Sequence, residues 1–315
     1  MLKLTYTKGN VHHRSAIISA AQKFNRQFHK DIEVVIGTRQ IIGYLFRLSS
    51  VFSKSSHVIF YFAGFGRLYT DYGSAGRVLF NSIVLLCSLR SKVSFIVESE
   101  ADRIEISKLT KRNIVRVYGS GFFYELSSRK EIVLRRKNRE VRRIVYVSRF
   151  GVSKHTDQIL NLFSTIPEDV KINVVGYDIS GNKYSKLFAH AATKYPNVTF
   201  HGRVEDQNDI QSIIKKGDVL VYPTKREGCP FTALESINAG TLPILTRSPG
   251  SEELAQELAL PTIEEKDFSN YFILNDVFLN FFGDRFEKEV DLESLSRYSF
   301  AAVEKQYFEL FVAIC

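Results

Sequence analysis

The stretch DVLVYPTKREGCPFTALESINAGTLPILT, from Asp218 to Thr246, carries most of the information about the fold. A short apolar run is followed by a polar loop, then by a helical pattern from Pro230 to Gly240, then by a second apolar run. Proline is tolerated in the first turn of a helix, and glycine is favoured just after the last turn. The stretch therefore predicts a strand–helix–strand unit, which is typical of an α/β fold with parallel sheets.

The same alternation continues in both directions from this stretch. It predicts strands at 2–6, 32–36, 58–62, 93–97, 114–117, 142–150, 170–176, 198–202, 218–223 and 242–246, and helices at 14–28, 77–89, 156–165, 183–194, 205–215, 231–240 and 297–311. Two doubly wound, Rossmann-like domains facing each other across a cleft are the expected architecture. Ligands of such sheets bind beyond the carboxyl ends of the strands.

The domain bounds follow from a charged, helix-breaking stretch at 123–140. We expect an N-terminal domain at 1–122, a linker at 123–140, a second domain at 141–295, and a closing helix at 296–315 that returns toward the first domain. A solvated surface hairpin is an equally acceptable interpretation of the basic stretch.

Composition excludes several classes of protein. The 315 residues are 44% hydrophobic and 24% charged, as in ordinary globular chains. The three cysteines form no CxxC pair, which argues against a disulfide framework and a structural zinc site. The N-terminus lacks a secretory pattern, and the run from Val78 to Leu89 is shorter than the ~20 residues of a membrane span. We expect a cytoplasmic protein.

Charge is distributed unevenly along the chain. Residues 1–140 contain 24 Lys and Arg against 10 Asp and Glu, whereas residues 141–315 contain 19 against 24. A basic first half attracts polyanions, which include nucleic acid, an anionic membrane leaflet and a phosphorylated substrate. Charge alone does not choose among them.

The helix that begins near Pro230 offers a candidate anion site. The backbone amides of Phe231, Thr232 and Ala233 are expected to be free, and together with the helix dipole they suit a pyrophosphate. Glu235, one turn further along, is placed to accept hydrogen bonds from a diol such as a ribose. Glu227 and Glu235 are also compatible with ordinary surface carboxylates at a helix start.

The stretch Arg226–Gly250, REGCPFTALESINAGTLPILTRSPG, resembles the signature of family 4 glycosyltransferases, which are retaining enzymes of the GT-B fold that use nucleotide sugars. Its two glutamates, Glu227 and Glu235, are separated by seven residues as in that signature. The resemblance implies that Glu227 contacts the donor sugar and that Glu235 contacts the ribose. It also implies donor-binding roles for the residues between them: Gly228, Cys229, Pro230, Phe231, Thr232 and Ala233.

Two further stretches are similar to the nucleotide domain of the same family. VSRFGVSK, at 147–154, corresponds to the turn whose Arg and Lys contact the donor diphosphate, which assigns Arg149 and Lys154 to that role. His155 departs from the family, which usually has Gly there. VTFHGRV, at 198–204, resembles the strand and loop that hold the nucleobase and so assigns Arg203 and Val204 to donor binding.

The first half resembles the family more loosely. AGFGRLYT, from Ala63 to Thr70, resembles an acceptor-domain loop of bacterial surface-polysaccharide enzymes, which places Gly64 and Gly66 on the acceptor side. A tight turn would account for the same glycines. The glycine-rich loop of many members is reduced here to a short segment that contains Gly9 and, a little further on, His12.

The resemblance as a whole implies a retaining, metal-independent hexosyltransferase. It would transfer a sugar from a nucleotide-diphosphate donor, UDP before GDP, to a glycan or polyprenyl-diphosphate-linked glycan in polysaccharide, lipopolysaccharide or O-antigen biosynthesis. The implied reaction is a front-face displacement without a metal cofactor. The basic first half then implies peripheral attachment to the inner face of the plasma membrane, with no nucleic acid partner.

Two alternatives stay open. One is a non-catalytic binder of polyanions or membranes that has the GT-B fold. The other is a GT-B nucleotide-sugar epimerase or a phosphorylase, which would use similar phosphate contacts.

Overall fold

The computed structural model describes residues 2–5, 15–28, 32–46, 57–121, 132–178, 180–285 and 287–314. The chain divides into two compact units. One unit comprises Met1–Ser127, Arg226–Cys229 and Glu293–Cys315, and the other comprises Ser128–Lys225 and Pro230–Leu292.

Strands and helices alternate through both units. The strands are β1 Leu2–Thr5, β2 Ile32–Ile36, β3 His57–Phe62, β4 Val93–Val97, β5 Asn113–Arg116, β6 Ile132–Arg135, β7 Arg143–Phe150, β8 Lys171–Asp178, β9 Val198–Gly202, β10 Val219–Tyr222, β11 Leu242–Thr246, β12 Thr262–Ile263 and β13 Glu287–Val290. The α-helices are α1 Ser15–Phe28, α2 Thr38–Leu45, α3 Gly66–Asp71, α4 Gly73–Ser88, α5 Glu100–Ser107, α6 Thr156–Leu162, α7 Lys183–Lys194, α8 Gln207–Lys216, α9 Phe231–Asn238, α10 Ser251–Glu257, α11 Tyr271–Phe282, α12 Leu292–Ser296 and α13 Phe300–Ile314. Short 3-10 helices cover Val152–Lys154 and Glu265–Ser269.

In the first unit, β1 to β5 form a parallel sheet in chain order. Successive side chains of a strand point to opposite faces, so β3 contributes to two separate cores. Ile59 and Tyr61 pack in the core under α1 and α13. Val58, Phe60 and Phe62 pack in the core under α2, α4 and α5. Burial on both faces explains why this strand is an unbroken apolar run.

The C-terminal helix α13 completes the first of these cores. Tyr307 and Phe311 of α13 are fully buried together with Phe24 of α1. The Tyr307 hydroxyl donates a hydrogen bond to the Gly119 carbonyl at 2.9 Å, so the buried polar atom is satisfied.

The second unit contains a parallel sheet with the order β12-β11-β10-β7-β8-β9. The chain builds outward from β7 through β8 to β9, then returns to the other side of β7 and builds outward again through β10. The strand order therefore reverses between β7 and β10. At such a switch point the connections leave in opposite directions, which opens a crevice beyond the carboxyl ends of the two strands.

Part of the stretch that the sequence analysis left without an element is a strand. β6 pairs antiparallel with β13, with Ile132 opposite Val290 and Arg135 opposite Glu287. Leu134 is fully buried, so the segment predicted as a linker contains a strand with a core residue at 132–135. The hairpin interpretation was also wrong there, because the partner strand lies about 150 residues further along the chain.

The predicted α/β class with parallel sheets is confirmed. The elements predicted from the sequence do not include α2, α3, α5, α10, α11, α12, β12 and β13. A local signal existed for α5, because the Ser99 hydroxyl accepts a hydrogen bond from the Asp102 amide at 3.1 Å and so caps the helix. A serine followed three residues later by an acidic residue is a typical helix start.

Asp218 ties the amino ends of β7 and β10 together. It is fully buried, and one carboxylate oxygen accepts hydrogen bonds from the amides of Arg142 and Arg143 at 2.9 and 2.8 Å. The Asn138 side-chain amide donates to both carboxylate oxygens at 2.8 and 3.0 Å. The carboxylate thus fixes the start of the strand pair at which the order reverses.

We predict that Asp218→Ala lowers the free energy of unfolding by about 3 kcal/mol, because it leaves two partly buried backbone amides and the Asn138 carboxamide without their acceptor. Chemical denaturation of the variant measures the loss. Asp284→Ala is the matched control, since Asp284 is exposed. Equal stabilities of the two variants would contradict the role given to Asp218.

Candidate active site

The turn that follows β7 lies at the switch point of the second unit. The Gly151 amide donates a hydrogen bond to the Thr156 hydroxyl oxygen at 3.0 Å, and that hydroxyl lies 3.1 Å from the Gly151 carbonyl. The Lys225 amide, just beyond β10, donates to the Ser153 carbonyl at 2.9 Å. These bonds hold the turn against the end of β10 and fix the position of Lys154.

His155 gives this turn an unusual backbone. Its φ of 43° and ψ of 40° lie in the left-handed region, which glycine adopts at lower cost than other residues. The side chain is buried, and Nδ1 lies 2.7 Å from a carboxylate oxygen of Glu265. Burial lowers the pKa of His155, and the Glu265 charge opposes that shift. The side-chain contact supports a histidine in a conformation for which the resembled family uses glycine.

Lys154 is the most perturbed cation of the site. Its amine lies 5.4 Å from the centre of the Tyr222 ring, at the end of β10. Burial, and secondarily the charge of Arg149, lower its pKa to about 7. Arg149, the penultimate residue of β7, is exposed. An anion bound here would relieve both the lost hydration and the repulsion between the two cations.

Helix α9 begins in the segment that follows β10. Pro230 is the N-cap residue, and its carbonyl accepts hydrogen bonds from the amides of Ala233 and Leu234 at 3.0 and 3.3 Å. The expectation that the Ala233 amide is free was therefore wrong, because the first turn tightens and uses it internally. Phe231 and Thr232 occupy the first two positions of the helix. The positive end of the helix dipole lies at these residues.

Glu235 lies one turn into α9 and is half-buried. The Gln207 side-chain amide, at the start of α8, donates a hydrogen bond to Glu235 Oε1 at 2.8 Å. Burial raises the pKa of Glu235 to about 7, and the bond from Gln207 opposes the shift. Gln207 was not predicted from the sequence as a site residue. It holds one oxygen of the Glu235 carboxylate, and the other oxygen can accept a hydrogen bond from a ligand hydroxyl.

Arg203 and Val204 follow β9. The Arg203 guanidinium lies 4.9 Å from the centre of the Tyr177 ring and 3.3 Å from a Glu205 carboxylate oxygen, and its side chain is largely exposed. Val204 is half-buried. The loop leads directly into Gln207, so it lies on the same chain segment as the partner of Glu235.

Residues 226–229 belong to the first unit, where Gly64 and Gly228 allow two backbone segments to approach closely. A Cβ atom on Gly228 would lie 2.6 Å from Glu98 Oε2 and 2.8 Å from the Gly64 amide nitrogen. Gly64 itself has a φ of 71°. The close packing accounts for both glycines without a ligand. Gly66, with a φ of 67°, starts α3.

The residues beside Gly228 have defined environments in the same unit. Arg226 Nε donates to Asp102 Oδ1 at 2.6 Å, and the guanidinium lies 4.7 Å from the centre of the Phe65 ring. Glu227 is half-buried and Cys229 is buried. The structure thus anchors the segment through Arg226, which the sequence analysis did not single out.

A buried polar cluster at the carboxyl ends of β3 and β4 was also missed. The Tyr61 hydroxyl and the Ser120 hydroxyl, the latter at 3.3 Å, both donate to Glu98 Oε1. Burial, followed by the charge of Glu98, raises the pKa of Tyr61 well above its usual value. Glu98 directly follows the buried β4, and a carboxylate at that position was a usable signal.

His57 and His201 each lie near one polar side chain. His57 lies at the amino end of β3 and is 3.1 Å from the Ser94 hydroxyl, while His201 is 2.9 Å from Asn173 Oδ1. Gly9 and His12 lie outside the described residues. Within the described ranges, no three His, Cys, Asp or Glu side chains cluster closely enough to hold a metal ion. Metal independence stays a prediction.

Most of the second unit matches a family of known proteins. Residues 128–262 match the family described as glycosyl transferases group 1. A glycogen synthase of Actinobacillus pleuropneumoniae is 26% identical over 191 residues, which is 58% of this chain and 39% of that protein. The chain therefore spans about two fifths of that curated relative. These matches support the resemblance to group 1 glycosyltransferases over residues 128–262.

Solved structures match nearly the whole chain. Sucrose-phosphate synthase of Thermosynechococcus elongatus matches with a TM-score of 0.65 and 14% identity, covering 94% of this chain and 77% of that chain. HepE of Anabaena, in complex with UDP and glucose, matches with a TM-score of 0.66 and 15% identity, covering 93% and 81%. At these identities the likeness shows a shared fold.

We predict that Lys154→Met raises the melting temperature, most strongly below about pH 7. The ordinary pKa of a lysine exceeds the value of Lys154 in the folded chain, so the unfolded chain binds more protons between about pH 7 and pH 10. The stability of the natural protein therefore rises with pH across that window, and the advantage of the methionine variant shrinks.

Differential scanning calorimetry from pH 6 to pH 10 measures this trend. Lys194→Met is the matched control, because the exposed Lys194 amine also lies near a tyrosine ring, 5.1 Å from the centre of Tyr195. A pH-independent difference between Lys154→Met and the natural protein would contradict the perturbed state of Lys154.

Proposed function

We propose that this chain, which carries a group 1 glycosyltransferase domain over residues 128–262, is a retaining enzyme that transfers a sugar from a nucleotide diphosphate to a glycan. The observation that carries the proposal is the proximity of two cations, Lys154 and Arg149, at the switch point. The start of α9 lies on the connection that follows the neighbouring strand, β10. Two cations and a helix N-terminus suit a diphosphate.

The same groups suit the chemistry of the transfer. The bond between the sugar C1 and the diphosphate oxygen breaks, and the electron pair leaves with the diphosphate. Negative charge therefore grows on the leaving group, and preorganised cations stabilise it in the transition state. Lys154 and Arg149 have this role in our proposal, while Glu227 holds hydroxyls of the donor sugar.

Glu235 is the proposed ribose contact. Gln207 fixes one carboxylate oxygen at 2.8 Å, which leaves the other to accept a hydrogen bond from a ribose hydroxyl. With both glutamates engaged in binding, we propose a front-face displacement in which the acceptor oxygen attacks C1. The leaving phosphate takes up the acceptor proton. We propose no metal in this step.

We propose a UDP-sugar as the donor, with a GDP-sugar second. Support comes from HepE, which was solved in complex with UDP and glucose. We further propose membership of family 4, on the strength of the two-glutamate signature.

For the acceptor, we propose a lipid-linked glycan of a bacterial surface polysaccharide, reached by a protein attached peripherally to the inner face of the plasma membrane. The support is the excess of basic residues in the first 140 positions. No described helix is long and apolar enough to cross a membrane. A glucan acceptor is the second candidate, because the name of the glycogen synthase relative implies one for that protein.

We predict that one nucleoside diphosphate among UDP, GDP, ADP and dTDP raises the melting temperature in EDTA at low salt. A ligand that binds only the folded chain stabilises it by mass action. Lys154→Met and Glu235→Ala should each lose the shift, because they remove a phosphate contact and a ribose contact. Glu168→Ala is the matched control, since Glu168 is an exposed carboxylate of the same unit.

The outcome separates the proposal from its alternatives. A folded protein that responds to none of these nucleotides would favour the polyanion-binding interpretation. Release of epimerised or phosphorolysed sugar in the absence of an acceptor would favour an epimerase or a phosphorylase.

We predict that the affinity for the diphosphate falls by roughly tenfold between pH 7 and pH 9. The Lys154 amine has a pKa of about 7 without ligand, and a bound diphosphate raises it. The complex therefore takes up a proton above pH 7, and affinity falls as pH rises. Isothermal titration calorimetry at several pH values measures the profile.

Lys154→Arg provides the control for this profile, because a guanidinium stays charged over the whole range. Its profile should be flat wherever the variant still binds. An identical slope in the natural protein and in Lys154→Arg would assign the proton uptake to another group.

A further inference from the structure

Helix α4 has one buried side and one exposed apolar side. Phe80, Ile83, Val84 and Cys87 pack against the sheet of the first unit. On the opposite side, large apolar residues are exposed by the following fractions: Val78 65%, Leu79 51%, Leu85 48%, Leu86 48% and, just beyond the helix, Leu89 68%. Isolated exposed leucines are ordinary, but four leucines and a valine on one helix and its C-cap form a continuous surface.

The spacing confirms that these residues share a face. The four leucines follow Val78 by one, seven, eight and eleven positions, which brings all five residues to one side of a helix with 3.6 residues per turn. Ser82 lies among them and donates its hydroxyl to the Val78 carbonyl at 3.0 Å. Ser74 and Ala75 extend the exposed side toward the start of the helix. We call Ser74, Ala75, Val78, Leu79, Ser82, Leu85, Leu86 and Leu89 the α4 face; it contains no charge.

The surroundings of the α4 face are basic. The sequence contains no Asp or Glu from Tyr72 to Val97. At the C-terminal end of the helix, Lys92, Lys111 and Arg112 are exposed. The Arg112 guanidinium donates to the carbonyls of Ser88 and Ser91 at 3.1 and 3.3 Å, which fixes it beside the end of α4.

Each acidic residue of the neighbouring helix α5 is paired with a base: Asp102 with Arg226, and Glu100 and Glu105 with bases three residues further along the chain. Glu100 lies 2.6 Å from the Arg103 guanidinium, and Glu105 lies 2.7 Å from the Lys108 amine. These pairs do not cancel the charge of Lys92, Lys111 and Arg112.

We propose that the α4 face is a membrane-docking surface that inserts into the interfacial region of an anionic bilayer, with Lys92, Lys111 and Arg112 on the headgroups. Charge complementarity selects the partner. An uncharged apolar stripe flanked by lysine and arginine suits a surface that is apolar below and anionic above. The helix has 16 residues, or about 24 Å, and lies flat against its sheet, so it docks without spanning.

This inference rests on the proposed function, because a lipid-linked acceptor is presented at such a surface. Docking in turn keeps the protein where its acceptor is concentrated. The two proposals nevertheless depend on different residues: the donor site on Lys154 and Glu235, and docking on α4 and the loops beside it.

The absence of tryptophan from the sequence permits a direct test. Leu86→Trp places a single tryptophan on the α4 face, and Leu187→Trp places one on an exposed position of the second unit, where Leu187 is 40% exposed. We expect vesicles containing phosphatidylglycerol to shift the emission of Leu86→Trp to shorter wavelength, and brominated acyl chains to quench it. The emission of Leu187→Trp should not change.

Affinity measurements by vesicle cosedimentation form the second arm. The double variant Leu79→Ser/Leu86→Ser should bind anionic vesicles at least roughly tenfold more weakly, because it removes apolar groups from the inserted face. The matched control is Leu187→Ser/Phe272→Ser, which changes two exposed apolar residues of the second unit. Lys92→Glu/Lys111→Glu should lose binding to anionic vesicles and the dependence of binding on salt.

Each outcome either supports or overturns the inference. Cosedimentation without an emission shift in Leu86→Trp would mean that another surface docks. A shift without vesicles, together with a dimer in analytical ultracentrifugation, would mean that a second copy of the chain covers the face.

Two variants separate this inference from the proposed function. Lys154→Met should bind vesicles normally while it fails to respond to UDP. Leu79→Ser/Leu86→Ser should respond to UDP normally and should keep the circular dichroism spectrum of the natural protein, which shows that it folds. Normal vesicle binding in a protein that binds no nucleotide would overturn only the proposed function, and the reverse result would overturn only the docking surface.

Discussion

The hydrogen bonds between the Thr156 hydroxyl and Gly151 hold the turn after β7, and the position of Lys154 depends on that turn. A lysine with a pKa near 7 is held in the folded chain at a cost in stability, because burial and the neighbouring Arg149 both disfavour its charged form. Only a surrounding structure that is well determined can keep it there. The turn after β7 has that property, since Thr156 is fully buried and its hydroxyl is bonded to Gly151 and lies 3.2 Å from the Tyr146 hydroxyl.

The position of the turn after β7 depends on the strand order. Because β7 and β10 are neighbours, the Lys225 amide reaches the Ser153 carbonyl, and the ring of Tyr222 lies beside the Lys154 amine. Asp218 fixes the opposite ends of the same two strands. A constraint at the amino end and another at the carboxyl end thus hold in register the strand pair that carries the cations.

The sequence was sufficient to predict those strands that have a local pattern of their own. Buried parallel strands are short apolar runs, and β2, β4, β9 and β11 were predicted with the bounds that the structure has. β6 was missed because its partner β13 is distant in sequence, and a four-residue strand gives no periodic signal by itself. The left-handed backbone of His155 was not predictable from its residue type, because it depends on the contact with Glu265.

The residues of the candidate site likewise divide into those that a sequence motif identifies and those that only a long-range contact identifies. Lys154 and Arg149 could be assigned from a motif, whereas Gln207 could not, because its importance lies in one hydrogen bond between two helices. Gly64 and Gly228 were visible as glycines, but a glycine in a sequence does not reveal what its missing Cβ would meet. A Cβ on Gly228 would meet Glu98 and the Gly64 backbone, and a Cβ on Gly64 would meet the Gly228 backbone, so close packing is a sufficient reason for both glycines.

Stability is given up at two separate places in the molecule. Burial and the charge of Arg149 lower the pKa of Lys154, and the α4 face exposes large apolar side chains to solvent. Neither feature helps the chain to fold. Natural proteins depart from the most stable choice mainly where a partner compensates for the departure. An anion is the partner whose chemistry matches Lys154. A surface that is both apolar and anionic is the partner whose chemistry matches the α4 face and the bases beside it.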